Sequence, residues 1–120
     1  MELDIRLNIL KDSNQISQDT YEKVIHTIAM FKDKYKINLN EENGAMLITH
    51  LSCALERIKK GDDLEKLEEF LVEQVKGNGN YKKAQAILSN IEDTIKVDMP
   101  MEEKNFMLMH ICTLLEKENI

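Results

Sequence analysis

Residues 49–58 read Thr49-His50-Leu51-Ser52-Cys53-Ala54-Leu55-Glu56-Arg57-Ile58, a strongly apolar stretch with one histidine and one arginine seven positions apart. With Met46 and Leu47 before them, Leu51, Ala54, Leu55 and Ile58 recur every three or four positions, the period of an α-helix. Gly61 stops the run, where a left-handed cap suits a residue without a Cβ. Upstream, Asn40 is a good N-cap, and Glu41 and Glu42 complement the positive end of the helix dipole. The spacing therefore predicts a buried helix from Glu41 to Lys60. On it, His50 and Arg57 project from nearly the same face, separated by ~10.5 Å of rise.

A second apolar stretch, Met107-Leu108-Met109-His110-Ile111-Cys112, carries His110 and follows Pro100, the only proline. Pro100 fits a helix's N-terminal turn, where its missing N–H costs nothing, and Glu102 and Glu103 suit that end electrostatically. From Phe106 to Leu115 almost every residue is apolar. A helix of that kind needs cover from the domain core on one face and from a second subunit or partner on the other, so a homodimer is expected.

The rest of the chain supplies further helices. Ser17 can cap one whose stripe is Tyr21, Val24, Ile25, Ile28, Phe31 and Tyr35, packed against the His50 helix, with His26 at its boundary or surface. Asp62 or Asp63 can open a shorter helix with Leu64, Leu67, Phe70, Leu71 and Val75 inward, ending at Gly77-Asn78-Gly79-Asn80. That tract is a turn; no Lys-Ser or Lys-Thr and no preceding strand make it a phosphate loop. From Tyr81, a stripe of Ala84, Ile87, Leu88, Ile91 and Ile95 marks another helix, ended by Asp98 and Pro100. The opening Leu3, Ile5, Leu7, Ile9 and Leu10 alternates like a strand. Leu3, Leu7 and Leu10 nonetheless share a helix face and no strand partner exists, so a short N-terminal helix is expected, broken at Asp12-Ser13-Asn14.

At 120 residues, 42% apolar and 32% charged, with one Pro, four Gly and no Trp, the chain is predicted to be one all-α domain over 1–120. It lacks solenoid repeats and low-complexity segments. A net charge of −6 and only two arginines, Arg6 and Arg57, argue against direct nucleic-acid binding. Cys53 and Cys112 fall in apolar runs and read as reduced core residues, which points to the cytoplasm. No secretory signal and no membrane span are apparent.

No nucleophile–base pattern with a recognisable context is present, so no enzyme is expected. A zinc site would recruit His50, Cys53, His110 and Cys112, but His110 and Cys112 point apart on one helix, so neither metal nor cofactor is expected. Two readings of the histidines stay open on the residues alone. They are hydrogen-bonded core residues of a dimeric protein-interaction scaffold, or they are phosphoacceptors. Imidazole, with an ordinary pKa near ~6.5, offers a lone pair to phosphorus at neutral pH without a separate base.

The stretch Thr49–Ile58, with its His-Leu, Ala and Arg in order, resembles the first histidine helix of the phosphotransferase-system regulation domain, the PRD. Pro100, Glu103 and Met109-His110-Ile111 resemble the second. The histidines are 60 residues apart with a Tyr81-containing helix between, as in that family, and the resemblance spans about 17–117. It implies a compact, homodimeric five-helix bundle, here with the short N-terminal helix added. Its histidines are phosphorylated by the phosphocarrier protein or a sugar permease's B domain, and its arrangement controls an attached RNA- or DNA-binding region. Carried over, His50 and His110 are the phosphoacceptors, Arg57 offsets phosphate charge, and Glu103 is a supporting carboxylate or a cap. Usual members carry two such domains and an effector region. This chain resembles the stand-alone PRD proteins, so an effect on carbohydrate-use genes would pass through a regulatory protein partner.

Overall fold

The computed structural model describes residues 2–62 and 66–119, and every element among them is helical. There are six: α1 (Glu2–Asp12), α2 (Gln18–Tyr35), α3 (Glu41–Lys60), α4 (Glu69–Lys76), α5 (Tyr81–Ile95) and α6 (Met101–Lys117). The sixth beyond the expected five is the N-terminal α1. The chain divides into two compact units, α1–α3 and α4–α6, with the boundary after Asp62.

In the first unit, α1 packs on both α2 and α3. Of its two competing patterns the helical one wins: Leu3 and Leu7 are buried, while Ile5 and Ile9 are 55% and 59% exposed. Arg6 pairs with Glu41 at the start of α3, and the Lys11 ammonium lies 4.4 Å from the centre of the Tyr21 ring on α2. Ser17 caps α2 by accepting the Thr20 N–H at 3.1 Å. The buried face of α2 is Thr20, Val24, Thr27, Met30 and Phe31. It is rotated from the expected stripe, leaving Tyr21, Ile25, Ile28 and Tyr35 half-buried at its edge. Thr27 goes inward because its hydroxyl is satisfied locally, donating to the Lys23 carbonyl at 3.0 Å. Tyr35 stays beside the core, its ring 6.0 Å from that of Phe31.

The central helix α3 spans Glu41–Lys60 as its spacing predicts. Asn40 accepts the N–H groups of Glu42 and Asn43, and Asn43 reciprocates on the Asn40 N–H, a capping box built from two asparagines. At the far end Gly61 takes φ +71°, and the Asp62 N–H donates to the Arg57 carbonyl at 3.0 Å. Met46 departs from its expected place in the buried stripe and is 68% exposed. Leu47, Ile48, Leu51, Ala54 and Leu55 form the inner face instead, and Met46 belongs to the opposite one.

In the second unit α4 begins later than expected, at Glu69, with no side-chain cap. Leu64 lies outside the described residues. An eight-residue helix buries one edge: Val75 is inside, Leu71 is half-buried, and Phe70, expected inward, is 59% exposed. The Gly-Asn tract forms the expected turn, Asn78 accepting the Asn80 N–H at 2.8 Å through its side chain. Helix α5 buries Ala84, Ile87, Leu88, Ile91 and Ile95, the expected stripe, against α6. Pro100 is the N-cap of α6, which buries Glu103, Met107, Leu108, Ile111, Cys112, Leu114 and Leu115. No helix among the described residues is long and apolar enough to cross a membrane.

Candidate functional site

Each histidine-bearing helix has two faces. On α3 the outer face is Met46, His50, Cys53 and Arg57, at spacings of four, three and four, which keep side chains in register along an α-helix. Met46 is exposed and the other three are half-buried. On α6, Phe106, His110, Thr113 and Lys117 repeat the spacing: Phe106 and His110 are half-buried, Thr113 and Lys117 exposed. An apolar residue, a histidine, a small residue and a cation thus follow one another along both helices. Neither histidine is a fully enclosed core residue. His50, Arg57, Glu103, His110 and Lys117 each have an interaction partner.

Arg57 and Lys117 both sit in the last turn of their helices, where the negative dipole end favours a cation. Lys117 escapes a reading guided by family motif, although a cation seven positions after each histidine is visible in the sequence. Glu103 lies seven positions before His110 and is 1% exposed. It occupies the first turn of α6, where the positive helix end favours a carboxylate. His26, expected at the boundary or surface of α2, is exposed.

Beside Arg57, Glu56 turns inward and ties α3 to the start of α2. Its Oε2 accepts the Ser17 N–H at 2.9 Å, the Ser17 hydroxyl at 3.0 Å and the Thr20 hydroxyl. Burial pushes the Glu56 carboxyl up, but these hydrogen bonds and the Lys59 charge outweigh it, so its pKa falls below the ordinary value. The signal in sequence is slight: Glu56 follows the buried Ser52 by one turn and so continues the inner face. Next to His50, the Thr49 hydroxyl is buried without a hydrogen-bond partner among the described residues.

Cys112 is buried, which raises its thiol pKa together with the nearby Glu116 charge, and makes it a packing residue. Cys53, expected in the core, is instead half-buried on the outer face of α3, and it forms no disulfide. Among the described residues no group of three or more His, Cys, Asp or Glu side chains is gathered as metal ligands would be.

The sequence matches the family described as PRD domain over residues 22–113. An uncharacterized protein, YhfY, of Escherichia coli (strain K12) is 22% identical over 80 residues, 67% of this chain and 67% of that one. No solved structure matches. The family match takes in α3 with His50 and most of α6 with His110, and with more than half of its length covered, this chain belongs to the PRD family of phosphotransferase-system regulation domains.

Proposed function

We propose that the chain is a regulatory module that accepts a phosphoryl group on His50 or His110 and answers by changing its association with a second copy or with a regulatory protein partner. The observation that carries this reading is the half-open outer face of α3 and α6, each setting a histidine two turns before a cation. The donor is the phosphocarrier protein or the B domain of a sugar permease. A neutral imidazole nitrogen supplies the electron pair for the new N–P bond. The donor's own bond to phosphorus breaks, and the donor atom that carried the phosphoryl group keeps that pair. The product face gains about 1.5 to 2 negative charges. Arg57 offsets that charge at His50, Lys117 does so at His110, and Glu103 acts as a supporting carboxylate.

The module is a switch in the cytoplasm, not an enzyme, and needs no cofactor or metal. Its net charge of −6 favours a protein over a nucleic acid as the direct partner through which it would affect carbohydrate-use genes. The test is intact-mass analysis under non-acidic conditions after incubation with phosphoenolpyruvate, enzyme I and the phosphocarrier protein. An acid-labile adduct lost in His50→Ala or in His110→Ala names the acceptor. Absence of any adduct with both classes of donor would return the histidines to a structural role and the chain to an interaction scaffold.

A further inference from the structure

Stripes from α4, α5 and α6 converge on an open cleft of about 520 Å³ within the second unit. Two buried leucines, Leu88 and Leu108, supply apolar lining. Around them stand Tyr81, Gln85 and Ser89 from α5, Lys104 and Asn105 from α6, and Lys76 from the last turn of α4. The volume falls in the range of about 300–1,000 Å³ typical of small-molecule sites, and apolar lining with a few convergent polar groups is their usual make-up.

The polar groups of this cleft are little used by the fold itself. Among the described residues, the side chains of Tyr81, Gln85, Ser89 and Asn105 make no hydrogen bond within the chain. Both ammonium groups are loosely held, Lys76 at 4.0 Å from Glu73 and Lys104 at 3.9 Å from Glu92. Partly exposed pairs at such distances give up little when the lysine turns elsewhere. The Glu92 carboxylate, by contrast, is anchored, because its Oε2 accepts the Met99 N–H at 2.8 Å. The cleft therefore presents two movable cations, several unengaged hydroxyl and amide groups, and one acid already committed to the backbone. Two lysines against one carboxylate favour an anionic ligand over a cationic one, and a purely apolar ligand would leave the polar walls without partners.

We propose that this cleft binds a small hydroxyl-bearing anion, such as a phosphorylated or carboxylated sugar. Lys76 and Lys104 meet the anionic group in charge-assisted hydrogen bonds, while Gln85, Ser89 and Asn105 take the hydroxyls. Leu108 is two positions from His110, so the cleft and the histidine address opposite faces of α6. The site does not depend on phosphorylation of that histidine.

Amide NMR spectra of the full chain, titrated separately with glucose-6-phosphate, gluconate, glucose and inorganic phosphate, test the proposal. The expected result is saturable shifts along the cleft-facing stripes of α4, α5 and α6 with one or both anionic sugars. Binding should be about tenfold weaker for glucose, for inorganic phosphate and for the Lys76→Gln/Lys104→Gln variant. If that variant loses its fold, Lys76→Gln alone, at a side chain 54% exposed, carries the comparison. The proposal is overturned by no saturable shift with either anionic sugar, by equal affinity for inorganic phosphate, which would mean an adventitious ion only, or by undiminished binding in the lysine variant.

Discussion

Glu56 and Arg57 are neighbours in sequence but turn to different faces of α3, and their side chains have different work. The Glu56 carboxylate holds the first turn of α2 through Ser17 and Thr20, and its pKa is lowered in the fold from the ordinary 4.5. A depressed carboxylate stabilises the folded state above its unfolded pKa, and that stability is lost as pH falls through the folded value. Glu56→Gln should therefore destabilise the protein by about 2 kcal/mol at neutral pH, the order expected for charged hydrogen bonds, and by less as the solution is acidified below about pH 4. Urea denaturation of both proteins across that range checks it. Thr49 gives the opposite sign. Its buried hydroxyl lacks a hydrogen-bond partner among the described residues, so Thr49→Val should stabilise by about 1 kcal/mol in the same assay. The acceptor candidates and Arg57 could be placed from the sequence because helical arithmetic alone decides which residues share a face. For Glu56 the same arithmetic gives only a slight signal, since its burial depends on a helix start 39 residues away arriving at that point.

Among the elements, the ends carry the clearest contrasts. Helices α2, α3 and α5 all close with a left-handed residue, but only α3 uses glycine; α2 uses Lys36 at φ +58° and α5 uses Lys96 at φ +59°. A Cβ at Gly61 would touch nothing within 4 Å, so Gly61→Ala isolates the backbone cost, about 1 kcal/mol of lost stability. Lys36→Gly should work the other way, gaining about 0.5 kcal/mol once glycine's extra chain entropy is subtracted from the relieved strain. Thermal unfolding of the two variants beside the parent measures both. The helices with strong caps or a clean stripe, α3 and α5, were legible residue by residue. The expected stripe of α2 is out of phase because buried threonines look polar until their hydroxyls find acceptors, the Glu56 carboxylate for Thr20 and the Lys23 carbonyl for Thr27. Short, uncapped α4 offers few residues to fix its phase, and Phe70 went outward.

For the molecule as a whole, the outer face of α3 is where association should act. Met46 is 68% exposed on the same face as His50, so Met46→Glu should leave the unfolding free energy within about 0.5 kcal/mol of the parent, as exposed positions do. It should nevertheless weaken self-association or partner capture, read by sedimentation velocity across a concentration series. The apolar run of α6, which read as needing a second subunit, finds most of its cover within the chain: between Phe106 and Leu115 only Thr113 is exposed. Composition and periodicity made the all-helical class legible. The division after Asp62 was not, because no Pro-, Gly- or Ser-rich linker marks it.

The tyrosines turn that division into something a spectrometer can follow. There is no tryptophan, and of the three tyrosines Tyr21 sits under Lys11, Tyr35 beside Phe31, and Tyr81 in the cleft of the second unit. Ultraviolet emission excited beyond the phenylalanine band is consequently all phenolic. Tyr81→Phe leaves only first-unit light, and Tyr21→Phe/Tyr35→Phe leaves only second-unit light. Denaturation midpoints that coincide in the two silenced variants would make α1–α6 one cooperative body, and midpoints that part would give each histidine helix a stability of its own.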